Sequence, residues 1–193
     1  MAFLESLDQG AWNALQTARL RVPWLEHLLT RLRYAGTPAV LLGVTVLSAV
    51  LLRRSGRRGG AGLALVAFAG ALAVSVSTQA LVNRPRAEAV RTDTTVKAPE
   101  SASFPSGSAL TAAAVYGYLA LSSRFLLGRR ARRAAVLACV VLTLLAGYAP
   151  LGLSENYLSD VLAGWVAGLA WATACAWAAE RIDGPVPEHA AAG

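Results

Sequence analysis

Three short polar stretches, each at the edge of a long apolar run, hold the residues of this chain whose types and spacing could do chemistry. Asn83-Arg84-Pro85-Arg86 closes one run, Ser103-Phe104-Pro105-Ser106-Gly107-Ser108 opens a second, and Ser154-Glu155-Asn156-Tyr157-Leu158-Ser159-Asp160 opens a third. A Pro-Ser-Gly turn at a helix start presents free backbone N–H groups and the positive end of the helix dipole, which together can seat an anion. Arg84 adds a planar guanidinium able to grip a phosphate through two parallel N–H bonds. Taken singly, each stretch has a plainer explanation. Arg84 with Pro85 could merely end a membrane span, Pro105 and Ser106 suit any helix N-terminus, and Asp160 or Ser159 could cap the helix that follows. His27 and His189 are the only histidines, and neither lies in the three stretches.

The elements that must position these residues are apolar. The chain has 193 residues, 55% hydrophobic and 7% aromatic, a length that allows one domain or a single bundle. A helix needs about 20 apolar residues to cross a bilayer. Five blocks meet or approach that: 37–52, 61–82, 109–127, 134–153 and 161–179. They lack the polar face that buried helices of a soluble protein would carry, so the expected fold is all-α, an integral membrane bundle of about five transmembrane helices. Gly62, Ala69, Gly70 and Ala73, and later Gly164, Ala167 and Gly168, are small residues of the kind that let such helices approach closely. Residues 1–36 place Trp12, Leu15, Leu20, Trp24 and Leu28 among charges. Two readings are open for them: amphipathic helices at the membrane interface, broken at Pro23, or a cap packed on the bundle. The domain division is then 1–36, the bundle over 37–182, and a Gly/Pro/Ala tail over 183–193 expected to be disordered.

Charge gives the expected orientation. Arg53, Arg54, Arg57 and Arg58 fall in one inter-span loop and Arg129, Arg130, Arg132 and Arg133 in another, two loops that an odd number of spans puts on one side with the C-terminus. The positive-inside rule makes that side cytoplasmic, with ten basic and three acidic residues against eight of each outside, so the whole +7 lies inward. The three polar stretches then face outward at the plasma membrane. Arg19, Arg21, Arg31 and Arg33 run against the rule. Short arginine clusters between spans are topology signals, and no nucleic-acid partner is expected. Cys139 and Cys175 lie inside apolar blocks and read as buried small hydrophobes, not as a disulfide or metal pair.

Taken together, in order and on one membrane side, the stretches resemble the type 2 phosphatidic acid phosphatase family over residues 77–168. That family places three motifs at one end of a helical bundle: a lysine, six residues, then Arg-Pro; Pro-Ser-Gly-His; and Ser-Arg, five residues, His, three residues, Asp. The resemblance implies a third-motif histidine that attacks phosphorus, an aspartate that orients it, and a second-motif histidine that protonates the leaving oxygen. Here Arg84-Pro85, Pro105-Ser106-Gly107 and Asp160 match. Ser77 stands at the lysine position, Ser108 and Asn156 at the two histidines, and Ala149-Pro150 at Ser-Arg. An amide nitrogen is not a useful nucleophile, and a hydroxyl cannot deliver a proton efficiently near neutral pH. Phosphate binding is therefore assigned to Arg84, Ser106, Gly107 and Ser108, and no catalytic residue is assigned at the motif positions Ser108, Asn156 and Asp160. A carboxylate at Asp160, freed from its histidine, would repel phosphate unless Arg84 or Arg86 neutralised it.

Three functions follow. The leading expectation is a degenerate member that binds an isoprenoid or glycerolipid phosphate at the outer leaflet, with an envelope-assembly membrane protein as a candidate partner and without cofactor. The second is a phosphatase or phosphotransferase with altered chemistry, using Ser108 as nucleophile or a metal on Asp93, Glu100, Glu155 and Asp160, whose spacing matches no metal motif. The third is a structural partner subunit with no ligand.

Overall fold

A computed structural model describes residues 2–22, 24–85 and 102–184, with the side chains of residues 2–4 and of Arg19 left aside. The expected roles of Arg86, Asp93 and Glu100, the break at Pro23 and the tail beyond residue 184 lie outside those residues. Within them the chain is helical: α1 (Ala2–Arg21), α2 (Trp24–Leu32) with a 3-10 turn (Arg33–Gly36), α3 (Pro38–Arg54), α4 (Arg58–Val82), α5 (Gly107–Ser122), α6 (Arg129–Gly152) and α7 (Leu158–Asp183).

Local chemistry sets the ends that matter for the site. Pro38 starts α3 behind Thr37, where a missing N–H costs nothing. Asn83 ends α4 in the left-handed conformation (φ 45°), its N–H on the Gln79 carbonyl, and this turns Arg84 out of the helix. Ser106 caps α5, and Tyr157 caps α7 while Asp160 reaches back to the Tyr157 N–H at 3.0 Å.

The bundle is wrapped around α5. Ala109 to Tyr116 are buried all round this helix, which therefore sits in the middle with α4, α6 and α7 about it. Its closest neighbour is α7. A Cβ added at Gly164 would lie 2.8 Å from the Ser106 carbonyl, and one added at Gly168 would collide with the Leu110 carbonyl. The two glycines, four residues apart, let the backbones touch.

α4, α6 and α7, with 25, 24 and 26 residues, are long and apolar enough to cross a membrane. The α2 unit and α3 meet the same test as one pair, bent by 42°. α5, at 16 residues, spans only about 24 Å and is enclosed by the others. Three or four of the five expected spans thus satisfy the requirements of a crossing. This is an integral membrane bundle.

Both arginine loops meet at one end of it. Arg57 bonds the Gly184 carbonyl and lies 3.9 Å from the Phe125 ring, Arg124 pairs with Glu180, and Asp183 accepts the N–H groups of Gly59 and Gly60. The three polar stretches lie at the opposite end. There α1 packs across the start of α7, with Leu15 against Leu151 and Val161, while Leu7 and Leu20 stay exposed.

Candidate functional site

Where α4 ends, Arg84 enters a cluster of opposite charge. Its Nη1 donates to Asp160 Oδ1 at 2.6 Å and to Ser159 Oγ at 2.9 Å. Its Nη2 donates to Asp8 Oδ2 at 3.0 Å, and its guanidinium stacks 4.0 Å from the Tyr157 ring centroid. Asp160 is fully enclosed, 0% exposed, and its second oxygen is taken by the Tyr157 N–H. Asp8, 6% exposed, sits over the start of α7, accepting the Ser159 N–H at 2.9 Å and the Ser159 hydroxyl at 2.7 Å. Burial works against the charge on Arg84. The hydrogen bond to Asp8 and the pull of Asp160 outweigh it, and its pKa is raised. Two carboxylates facing one guanidinium leave the cluster formally one unit negative.

A separate cavity of about 290 Å³ opens beside this cluster. Ser75 and Gln79 of α4, Gly107 and Ser108 of α5, and Asn156 line it, with Arg33 and Glu155 also on its wall. Gln79 Nε2 donates to the Pro105 carbonyl at 3.0 Å and to Ser75 Oγ at 3.3 Å, which pins the Pro-Ser-Gly turn to α4. Asn156 Nδ2 donates to the Ser103 carbonyl at 3.0 Å, so this amide serves to brace the loop. Ser108 Oγ lies 3.3 Å from Ser106 Oγ. The Ser106 N–H is engaged by the Asp160 carbonyl at 3.0 Å, leaving Gly107, Ser108 and Ala109 as the first-turn residues whose amides have no intrahelical acceptor. Arg33 Nη1 pairs with Glu155 Oε1 at 2.8 Å, and with its side chain 48% exposed it is the cation on the cavity wall among the described residues.

The structure thus divides the four residues expected to hold phosphate. Gly107 and Ser108 line the cavity together with Asn156. Ser106 is buried beneath them, and Arg84 belongs to the neighbouring cluster, neutralising Asp160. Among the described residues no three His, Cys, Asp or Glu side chains gather to hold a metal ion, and Asp93 and Glu100 lie outside those residues.

Three contributors escaped the sequence reading. Asp8 was one charge among several on an amphipathic helix. Gln79 lay inside an apolar block, where a lone amide at the last turn was the available signal. Arg33 had a clearer sign: it was one of the arginines on the wrong side of the positive-inside pattern, and a cation kept against that bias has a local reason to be there.

The described fold superposes on the crystal structure of the first transmembrane PAP2 type phosphatidylglycerolphosphate phosphatase from Bacillus subtilis with a TM-score of 0.72, at 23% identity over 94% of each chain. At that identity the likeness speaks for the fold. No curated protein compared with the chain gives a match. The sequence profile of the PAP2 superfamily matches residues 59–183, which takes in all three polar stretches and well over half of the molecule. The chain belongs to the PAP2 superfamily.

Proposed function

We propose that this protein is a degenerate PAP2 member that binds the polar end of a lipid phosphate, of isoprenoid or glycerolipid type, and does not hydrolyse it by histidine chemistry. The observation that carries the proposal is the composition of the cavity wall. The motif positions facing it hold Ser108 and Asn156, and the aspartate that would orient a nucleophile is bonded to Arg84. A phosphate in the cavity would meet the Gly107 and Ser108 amides at the positive end of α5, the Ser108 hydroxyl, and Arg33 if Glu155 yields it. Arg84 would join only by leaving Asp8 and Asp160. In this reading the cavity opens at the outer leaflet of the plasma membrane, the arginine loops are cytoplasmic, and α1 with α2 lies at the interface through Leu7, Leu20, Trp24 and Leu28. An envelope-assembly membrane protein nearby would be the receiver or supplier of the lipid.

Altered catalysis is the less supported reading, because among the described residues no base stands against Ser108: its hydroxyl neighbour is Ser106. The test is binding of a lipid phosphomonoester and of the same lipid without its phosphate to purified wild type, Arg33→Gln and Ser108→Phe, with phosphate release measured in parallel. The expected result is selective binding of the phosphomonoester, weakened in both variants, without turnover. Equal binding of the two lipids would end the proposal, as would phosphate release at enzymatic rates that Ser108→Ala abolishes.

A further inference from the structure

At the other end of the bundle a basic groove meets an apolar one. Arg129, Arg132 and Arg133 of the first turns of α6 share a surface groove of about 520 Å³ with Val136, Leu137 and Val140. Glu180 and Asp183, the carboxylates of that end among the described residues, are already paired with Arg124 and Arg57. The three groove arginines have no carboxylate partner among the described residues. Their surplus is felt nearby: the Arg124 pKa is pushed down by burial and then by Arg132 and Arg57.

The groove also continues. Val140 lines a second, almost wholly apolar furrow of about 310 Å³, floored by Gly117 of α5 and walled by Leu144 of α6 and Leu169 of α7. Only toward its C-terminal half, where Gly117 and Ala120 are half-buried and Leu121 is exposed, does α5 lie open between α6 and α7. From Arg132 to Leu144 is about 18 Å along the helix, the scale of one acyl chain rather than of a headgroup alone.

We propose that this continuous feature seats one anionic phospholipid of the cytoplasmic leaflet, its phosphate on Arg129, Arg132 and Arg133 and one chain along Val136 and Val140 into the furrow. Inside a bilayer the furrow supplies no hydrophobic driving force, since a chain leaves surroundings as apolar as those it enters. Selectivity therefore comes from the arginines, at about fivefold each for an anionic over a zwitterionic headgroup. The furrow contributes shape, and fixes the lipid at one place.

The experiment uses the full chain reconstituted in equimolar phosphatidylserine and phosphatidylcholine, with the lipid retained on each protein molecule counted by native mass spectrometry. Wild type should retain phosphatidylserine over phosphatidylcholine by roughly tenfold or more. R129Q/R132Q/R133Q should bring that ratio close to one. R53Q/R54Q/R58Q, which removes the same charge from the same end, should leave most of the preference. V140W, which plugs the junction of groove and furrow without touching charge, should reduce retention severalfold. No preference in wild type overturns the proposal. So does an equal loss in both arginine triples, which would mean a diffuse basic face, and so does unchanged retention in V140W.

Discussion

Asp8 is the residue whose removal tests the architecture of the site most directly. It ties α1 to the bundle by accepting three hydrogen bonds, from the Ser159 N–H, the Ser159 hydroxyl and Arg84. Hydrogen bonds to a charged group are each worth about 1.5–3 kcal/mol, and truncating one partner of a buried pair costs about 3–5 kcal/mol when the other is stranded. Arg84 is not stranded in Asp8→Ala. It keeps Asp160 and Ser159, and its side chain is 30% exposed, so water covers part of the loss. The change also removes the negative excess of the cluster. The net expectation is about 2 kcal/mol of destabilisation, or several degrees in Tm for a chain of this size. Asp8→Asn keeps an acceptor for the Ser159 N–H and should cost about half as much. Thermal unfolding of both variants in the same detergent reads the difference. If Asp8→Ala melted with wild type, the contact between α1 and α7 would contribute nothing, and the helix would have to be treated as independent of the site. The same variants carry a second reading: with Asp8 gone, the Ser159 N–H and Arg84 are open to an exogenous anion, so lipid-phosphate affinity should rise. A fall in affinity without a fall in Tm would contradict the assignment of Asp8 as the competing anion.

Other outcomes follow from the same geometry. Gly168→Val, which drives a side chain into the Leu110 carbonyl, should cost more than 3 kcal/mol or prevent folding, seen as loss of the monodisperse species; full stability would refute the close α5–α7 approach. Restoring both histidines, Asn156→His with Ser108→His, should not produce phosphatase activity, because Asp160 is held by Arg84 and the positions of the missing cations remain Ser77 and Pro150. Phosphate release by that double variant would show that the aspartate is freely exchanged. Cysteines placed at Gly10 and Ala131 should label from opposite sides, position 10 from outside and position 131 from the cytoplasm; the reverse pattern would turn the proposed binding site inward.

How far the sequence could be read depended on the range of the signal. Apolar block length and the spacing of Arg84, Pro105-Ser106-Gly107 and Asp160 are properties of short segments, and they led to the membrane bundle and its family. The glycine pair at Gly164 and Gly168 was likewise legible as a packing surface. What could not be read was which residues from distant segments share a wall. Arg33 stands beside Glu155, and Asp8 beside Ser159, across 122 and 151 residues of chain. No periodicity or motif connects them. The shortness of α5 was hidden for a related reason: residues 109–127 are apolar enough for a span, and only the 3-10 turn at Ser123–Phe125 shows where the helix stops.

The departures at the site are better understood as coupled than as separate losses. In the pattern the motifs resemble, the final aspartate has a histidine four residues before it as its partner. Here that position is Asn156, which turns its amide to the Ser103 carbonyl and offers Asp160 nothing. A carboxylate with no solvent exposure cannot stay charged without a partner, since desolvating an isolated ion costs several kcal/mol. Arg84, the retained cation of the first motif, supplies that partner at 2.6 Å, and once engaged there it no longer faces the cavity. In the proposed reading, an asparagine at position 156 thus also draws Arg84 away from the cavity, through Asp160. The order of these events can be probed by Asp160→Asn in the wild-type background. With the charge removed, Arg84 keeps Asp8 on one side but loses its tightest bond, and it becomes free to swing toward Ser108. Lipid-phosphate affinity should then increase, and more so with Asp8→Asn added. Unchanged affinity in the double variant would mean that Arg84 is held by the stacking on Tyr157 and by backbone geometry, and that the carboxylates are not what keeps it from the cavity.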